Sequence, residues 1–152
     1  MAERKRILVD SGAIVAAIDR RDQWHQLAEA RFRITPKPFY TCDAALSETC
    51  FLLGESKTAF DSLWGLIADG VIVLDFSLAE HLSSVGALMK KYRNVPMSLA
   101  DACLVRMSEL ASDALLFTYD SDFSIYRRHG KQMIPIVGQA FTAYQCNQSR
   151  LM

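Results

Sequence analysis

The sequence has no surplus of charge of either sign: 17 lysines and arginines stand against 17 aspartates and glutamates. That balance gives no bulk pull toward nucleic acid and counts against a protein that binds it by charge alone. It does not count against a metal site, because acids that hold a cation are not free to repel phosphate. Cysteine is scarce and unpatterned. Cys42, Cys50, Cys103 and Cys146 form no Cys-x-x-Cys pair and no zinc-type spacing. Cys50 and Cys103 lie among apolar residues and read as buried free thiols, so a reduced, cytoplasmic setting is expected. The histidines, His25, His81 and His129, are far apart, and none has His-x-x-x-His spacing. No apolar run approaches the roughly 20 residues of a membrane helix. Only Ile7–Val9 separate the charged start from Asp10, too little for a signal peptide. The expectation is a soluble protein with no membrane partner.

What is present is a core. Of the 152 residues, 51% are apolar, enough for one packed domain without disorder. Ile7-Leu8-Val9, Phe39-Tyr40-Thr41, Val71 to Leu74, Ala114 to Thr118 and Met133 to Val137 read as strands. Helical segments fall between them: from Ala13, from Gln23 to Phe32, from Ala44 to Leu53 behind an Asp43 cap, from Ser56 to Ala68, from Leu78 to Tyr92, and from Ser98 to about Leu110. The strands are continuous apolar runs alternating with helices. That pattern predicts an α/β fold with a parallel central sheet flanked by helices on both faces. Residues 1–145 form the expected domain, and 146–152 a polar C-terminal tail.

The acids fall where such a sheet binds ligands, outside the carboxyl ends of its strands. Asp10 and Asp120 each follow a strand, although an aspartate there also serves as a turn or cap residue. Glu48 has Ala44, Ala45, Phe51 and Leu52 as its helical neighbours. An acid on such a stripe must be paired, bound to a cation or protonated, unless that edge faces water. Asp101 ends Ser98-Leu99-Ala100-Asp101, which has capping-box spacing. A cap and a site are compatible at one helix end. Asp122 shares a turn with Asp120, so that one ligates while the other caps. Ser11 and Thr118 supply hydroxyls nearby, for which a turn role is the simpler reading. A site with carboxylates and no His or Cys suits Mg²⁺ or Mn²⁺, not zinc.

Four stretches together resemble the PIN-domain family, and within it the VapC-type toxins of bacterial toxin–antitoxin pairs. They are Leu8-Val9-Asp10-Ser11-Gly12, Leu46-Ser47-Glu48-Thr49, Pro96 to Ala102, and Phe117-Thr118-Tyr119-Asp120-Ser121-Asp122-Phe123. Each is weak alone, but the ordered set spans nearly the whole chain. The resemblance implies a PIN-like domain whose acidic quartet falls on Asp10, Glu48, Asp101 and Asp120, with Asp122 an accessory fifth. It implies convergence of these acids on Mg²⁺ or Mn²⁺, cleavage of single-stranded or structured RNA, and a cognate antitoxin that blocks the cleft. The sequence departs from the family in its lack of net positive charge and in its tail.

On this reading a metal-dependent endoribonuclease hydrolyses a phosphodiester, with Asp10, Asp101 and Asp120 as direct or water-mediated ligands. Glu48 orients the attacking water or supports the ligands from outside. Arg127 and Arg128, just after the Asp120–Asp122 turn, are the best-placed RNA contacts. A homodimer is a further implied partner; no stretch singles itself out as the interface, and the apolar helices around Trp24 and Trp64 are the candidates. The alternatives are a PIN-fold binding module without activity and another α/β metal-dependent phosphohydrolase. A haloacid-dehalogenase-like enzyme needs Asp-x-Asp after the first strand, where Ser11-Gly12 stand instead. A receiver domain needs an acidic pair there.

Overall fold

The computed structural model describes residues 5–137. The tail at 146–152, the domain end at 145 and Cys146 lie outside the described residues.

The strands are β1 (Ile7–Val9), β2 (Phe39–Thr41), β3 (Ile72–Leu74), β4 (Leu115–Phe117), β5 (Arg127–Arg128), β6 (Gln132–Met133) and β7 (Ile136–Val137). Five of them form one parallel sheet, ordered β3-β2-β1-β4-β7, and β5 and β6 form a separate hairpin. Helices α1 (Ser11–Ile18), α2 (His25–Ile34), α3 (Asp43–Leu53) and α4 (Lys57–Ala68) connect the first three strands. α5 (Leu82–Lys91) and α6 (Leu99–Leu110) lie between β3 and β4. Leu8 and Leu116 point into one core with Val85, Leu104 and Val105. Ile7, Val9 and Phe117 point into the other with Ile14, Phe32 and Leu63. Successive strand residues thus bury opposite sides, and only a sheet covered on both faces accommodates unbroken apolar strands.

Several local boundaries differ from the sequence reading; α2, expected over Gln23 to Phe32, runs His25–Ile34. α1 begins at Ser11, not Ala13, because the Asp10 side chain accepts from the Ser11 N–H and caps the helix there. Asp43 is not the cap of α3 but its first helical residue. Cys42, in an extended conformation, makes the turn from β2, and Asp43 sits in the first turn where a negative charge complements the helix dipole. The segment from Leu78 opens as a 3₁₀ turn at Leu78–His81 before α5 starts. The run from Met133 to Val137 is split. Its start, in β6, pairs antiparallel with β5, and only Ile136–Val137 joins the main sheet. Pro135 falls in the break, where its missing N–H would interrupt a ladder.

Candidate active site

β1 and β4 are neighbours whose connections leave in opposite directions, β1 toward β2 and β3, β4 toward β7. Such a switch point opens a crevice at the carboxyl ends of the strands. Asp10 directly follows β1 and is 4% exposed. Its Oδ1 accepts from the Ser11 N–H at 2.7 Å, and its Oδ2 from the Thr118 hydroxyl at 2.9 Å. Thr118 directly follows β4, and its hydroxyl oxygen accepts from the Asp120 N–H at 3.0 Å. One buried hydroxyl therefore ties the acid after β1 to the acid after β4. Asp120 then caps the 3₁₀ turn Ser121–Ser124, its Oδ1 accepting from the Asp122 N–H at 2.9 Å. Of the acidic pair, Asp120 is the cap. The ring of Tyr119 stacks on Trp24 with centroids 5.2 Å apart, which pins this turn against the α1–α2 connection. Trp24 is thereby engaged within the chain.

Asp101 comes to the same crevice from α6, where the full capping box forms. The Ser98 hydroxyl accepts from the Asp101 N–H at 3.0 Å, and Asp101 Oδ2 accepts from the Ser98 N–H at 3.4 Å. The same Oδ2 accepts from the Tyr126 hydroxyl at 2.9 Å. Glu48 arrives from α3, half-buried, with Oε2 accepting from the Ser11 hydroxyl at 2.9 Å. Of its apolar neighbours only Ala45 is fully buried. Phe51 is 83% exposed and Leu52 53%, because α3 buries Ala45, Thr49 and Leu53 instead. Glu48 is thus paired through a hydroxyl at a helix edge that otherwise meets water. Ser11 and Thr118 do more than turn the chain, since each joins a different pair of elements at an acid.

The electrostatics show that these acids feel one another. Burial raises the Asp10 pKa from 3.8 to about 7; Asp101 and Asp120 push it further up, while the Thr118 and Ser11 hydrogen bonds pull it back. Asp101 is also raised, first by burial and then by Asp120, against the hydrogen bonds from Tyr126 and Ser98. Asp122 is raised by desolvation and by Asp120. A groove of about 440 Å³ opens beside the acids, between Ser47 and Glu48 of α3 and Ala100 and Cys103 of α6. Cys42 and Cys103 are buried free thiols on its wall, whereas Cys50 is only half-buried.

The structure gives Arg127 and Arg128 other partners. Arg127 Nη1 donates to the carbonyls of Ser124, Ile125 and Tyr126 at 2.7, 3.2 and 3.0 Å. Arg128 Nη1 reaches the Ser108 carbonyl near the end of α6 at 3.4 Å. Tyr126, absent from the sequence reading, is fully buried against Tyr92 and Phe123. Nothing in its sequence surroundings marks it, because its partner lies 25 positions away on another element.

Among the described residues, no three His, Cys, Asp or Glu side chains close into a cage for an ion. The donors that do meet at the crevice are carboxylate oxygens, the donor type that suits a divalent cation keeping part of its water shell. Mg²⁺ keeps several waters and takes one or two carboxylates. Asp10, raised to about 7 first by burial and then by Asp101 and Asp120, is the group such a cation would relieve.

The family model for the PIN domain matches residues 7–128. Among solved structures the chain is similar to VapC20 of Mycobacterium tuberculosis, a toxin described as cleaving the sarcin–ricin loop. The TM-score is 0.69 and the identity 19%, over 78% of this chain and 93% of that one. No curated protein matches the chain. The switch-point sheet, the acids gathered at its carboxyl edge and a family match running from β1 through β5 lead to one conclusion: the chain belongs to the PIN domain family.

Proposed function

We propose that the protein is a metal-dependent endoribonuclease that hydrolyses RNA phosphodiester bonds with Mg²⁺ or Mn²⁺, and that it is the toxin of a toxin–antitoxin pair. The observation that carries this reading is Asp10. It is a buried carboxylate at the switch point, raised to about 7 by burial and by its neighbours Asp101 and Asp120. A fold does not gather like charges in a dry crevice for stability, since each destabilises the others. Family membership and the fold shared with VapC20 support the choice of nuclease over another phosphohydrolase.

Asp10, Asp101 and Asp120 would hold the cation. When bound, it lowers the pKa of water and offsets charge on the phosphate oxygens. The chain's own part is positioning. Thr118 fixes the Asp10 carboxylate and the Asp120 backbone through one oxygen. Glu48, held by Ser11 and facing the groove, would orient the attacking water and accept its proton. Asp122, half-buried one turn from Asp120, is the accessory acid. Arg127 and Arg128 would offer Nη2 to the RNA backbone, since Nη1 of each meets a carbonyl and Nε of Arg128 is buried.

Two protein partners belong to this reading: an antitoxin that blocks the groove, and a second copy of the chain. Phe60 and Trp64, stacked at 4.9 Å and about half exposed on α4, are one apolar surface that would meet a partner. No helix among the described residues is long and apolar enough to cross a membrane. The test is cleavage of a structured RNA with Mg²⁺ or Mn²⁺, with EDTA and Asp10→Asn as controls. Cleavage that survives in Asp10→Asn overturns the site.

A further inference from the structure

We infer that Tyr126 is a positioning residue for Asp101, holding one oxygen of that carboxylate so that the other faces the metal; this rests on the proposed metal-dependent site. A buried tyrosine must place its hydroxyl, and a backbone carbonyl would serve as well as any other acceptor. Here the hydroxyl donates to Asp101 Oδ2 at 2.9 Å, and Tyr126 has no exposed surface. The only other donor to that carboxylate among the described residues is the Ser98 N–H, at a long 3.4 Å. Phenylalanine would fill the same space against Tyr92 and Phe123, whose rings meet it edge-on at 5.1 and 5.3 Å. Packing alone therefore does not call for the oxygen.

The segment that carries Tyr126 also carries Asp120. Asp120 caps the 3₁₀ turn Ser121–Ser124, and the Tyr126 N–H donates to the Asp122 carbonyl at 3.3 Å as the turn ends. One short segment thus sets Asp120 directly and Asp101 through the phenol, although Asp101 belongs to α6. Tyr92 fixes the far side, its hydroxyl accepting from the Arg127 N–H at 3.0 Å. With Oδ2 occupied, Oδ1 of Asp101 is left without a partner among the described residues. Partners of this kind orient ligating carboxylates, and their loss typically weakens metal binding by about 10–100-fold.

The experiment is a titration of the metal-free chain with Mn²⁺ alone, followed by electron paramagnetic resonance of the free ion. Tyr126→Phe should bind Mn²⁺ at least about tenfold more weakly than wild type. Tyr40→Phe, which removes a phenol oxygen on β2 that bonds to none of the acids, should bind within twofold of wild type. Cleavage by Tyr126→Phe should recover at saturating Mn²⁺, which a general loss of fold would not allow. Wild-type affinity in Tyr126→Phe overturns this inference and leaves the nuclease reading standing. Failure of wild type to bind Mn²⁺ overturns both. A second measurement needs no variant: with tyrosine Cζ labelled, Mg²⁺ should shift the Tyr126 resonance of the wild-type chain and not that of Tyr92. A Tyr126 resonance unmoved at saturating Mg²⁺ also overturns the inference.

Discussion

Replacing Asp10 by asparagine should stabilise the metal-free protein at neutral and higher pH while abolishing its activity. The Asp10 carboxyl titrates near 7 in the fold, against 3.8 ordinarily. Below 3.8 it is protonated in folded and unfolded chains alike, and contributes nothing to their difference. Between 3.8 and about 7 the unfolded chain has released a proton that the folded one retains, so stability falls as pH rises. Above about 7 the whole loss is in place, worth about 4 kcal/mol at 1.36 kcal/mol per pH unit. Asp101, raised in the same direction, adds to it.

Asparagine removes the charge and keeps most of the bonding. Its carbonyl oxygen still accepts from the Ser11 N–H, and its amide meets Thr118, whose hydroxyl then lacks an acceptor. That misfit costs about 1 kcal/mol. The remaining gain, about 3 kcal/mol, corresponds to a rise of roughly 6–12 °C in Tm for a chain of this size. The assay is thermal unfolding in EDTA, followed by circular dichroism from pH 4 to 8. The two proteins should differ most at pH 8 and converge toward pH 4. Adding Mn²⁺ at pH 8 should raise the wild-type Tm and leave that of Asp10→Asn in place. Parallel curves across the range, or a wild type that gains stability with pH in EDTA, would refute the reasoning.

Thr118→Val keeps the shape of the buried side chain but removes the donor to Asp10 and the acceptor for the Asp120 N–H. Cleavage should fall by about 10–100-fold, and the pH at which Mn²⁺ begins to raise Tm should move upward. Ser98→Ala removes one half of the capping box and should cost about 1 kcal/mol of stability, read from chemical denaturation. Arg127→Ala with Arg128→Ala should flatten the salt dependence of RNA binding, by about 0.7 in the log–log slope for each single-strand phosphate that is no longer neutralised. An unchanged slope with a lowered Tm would mean that both serve only the carbonyls of the hairpin and of α6.

The sheet was legible because its strands are short apolar runs ending at polar turns, and a period-free run between helices points to a doubly covered parallel sheet. Asp10 and Asp120 were legible for the same reason, since the strand ends that locate them are local features. Asp101 was visible as a cap, and the capping box is indeed formed. Glu48 was reached by an argument the structure alters, because Phe51 and Leu52 face water and its partner is the Ser11 hydroxyl at the start of α1. The β5–β6 hairpin was not visible: it has only two residues a side and no strong turn-flanked alternation. Tyr126 could not be found, because its role depends on a hydrogen bond between two elements that only the folded chain brings together.

The caps and the site are the same residues, which bears on how the acids can be changed. Asp10 caps α1, Asp101 closes the box of α6, and Asp120 caps the turn after β4. In each case part of the carboxylate satisfies backbone N–H groups that would otherwise be orphaned at a helix start; the second oxygen of Asp10 accepts from Thr118, while Oδ1 of Asp101 is left to the crevice. Placing acids at helix starts also offsets some of their repulsion, since the N-terminal end of a helix favours negative charge. The offset is incomplete, as the raised Asp10 and Asp101 show. Alanine at these positions therefore removes a cap together with a ligand and cannot separate the two. Asparagine keeps the oxygen that caps and loses the charge that binds a cation. An asparagine series at the three positions should thus leave melting at or above wild type in EDTA, while each member loses Mn²⁺ affinity. Alanine variants should lose Mn²⁺ affinity as well and melt below the matching asparagine variants, because no oxygen remains to cap.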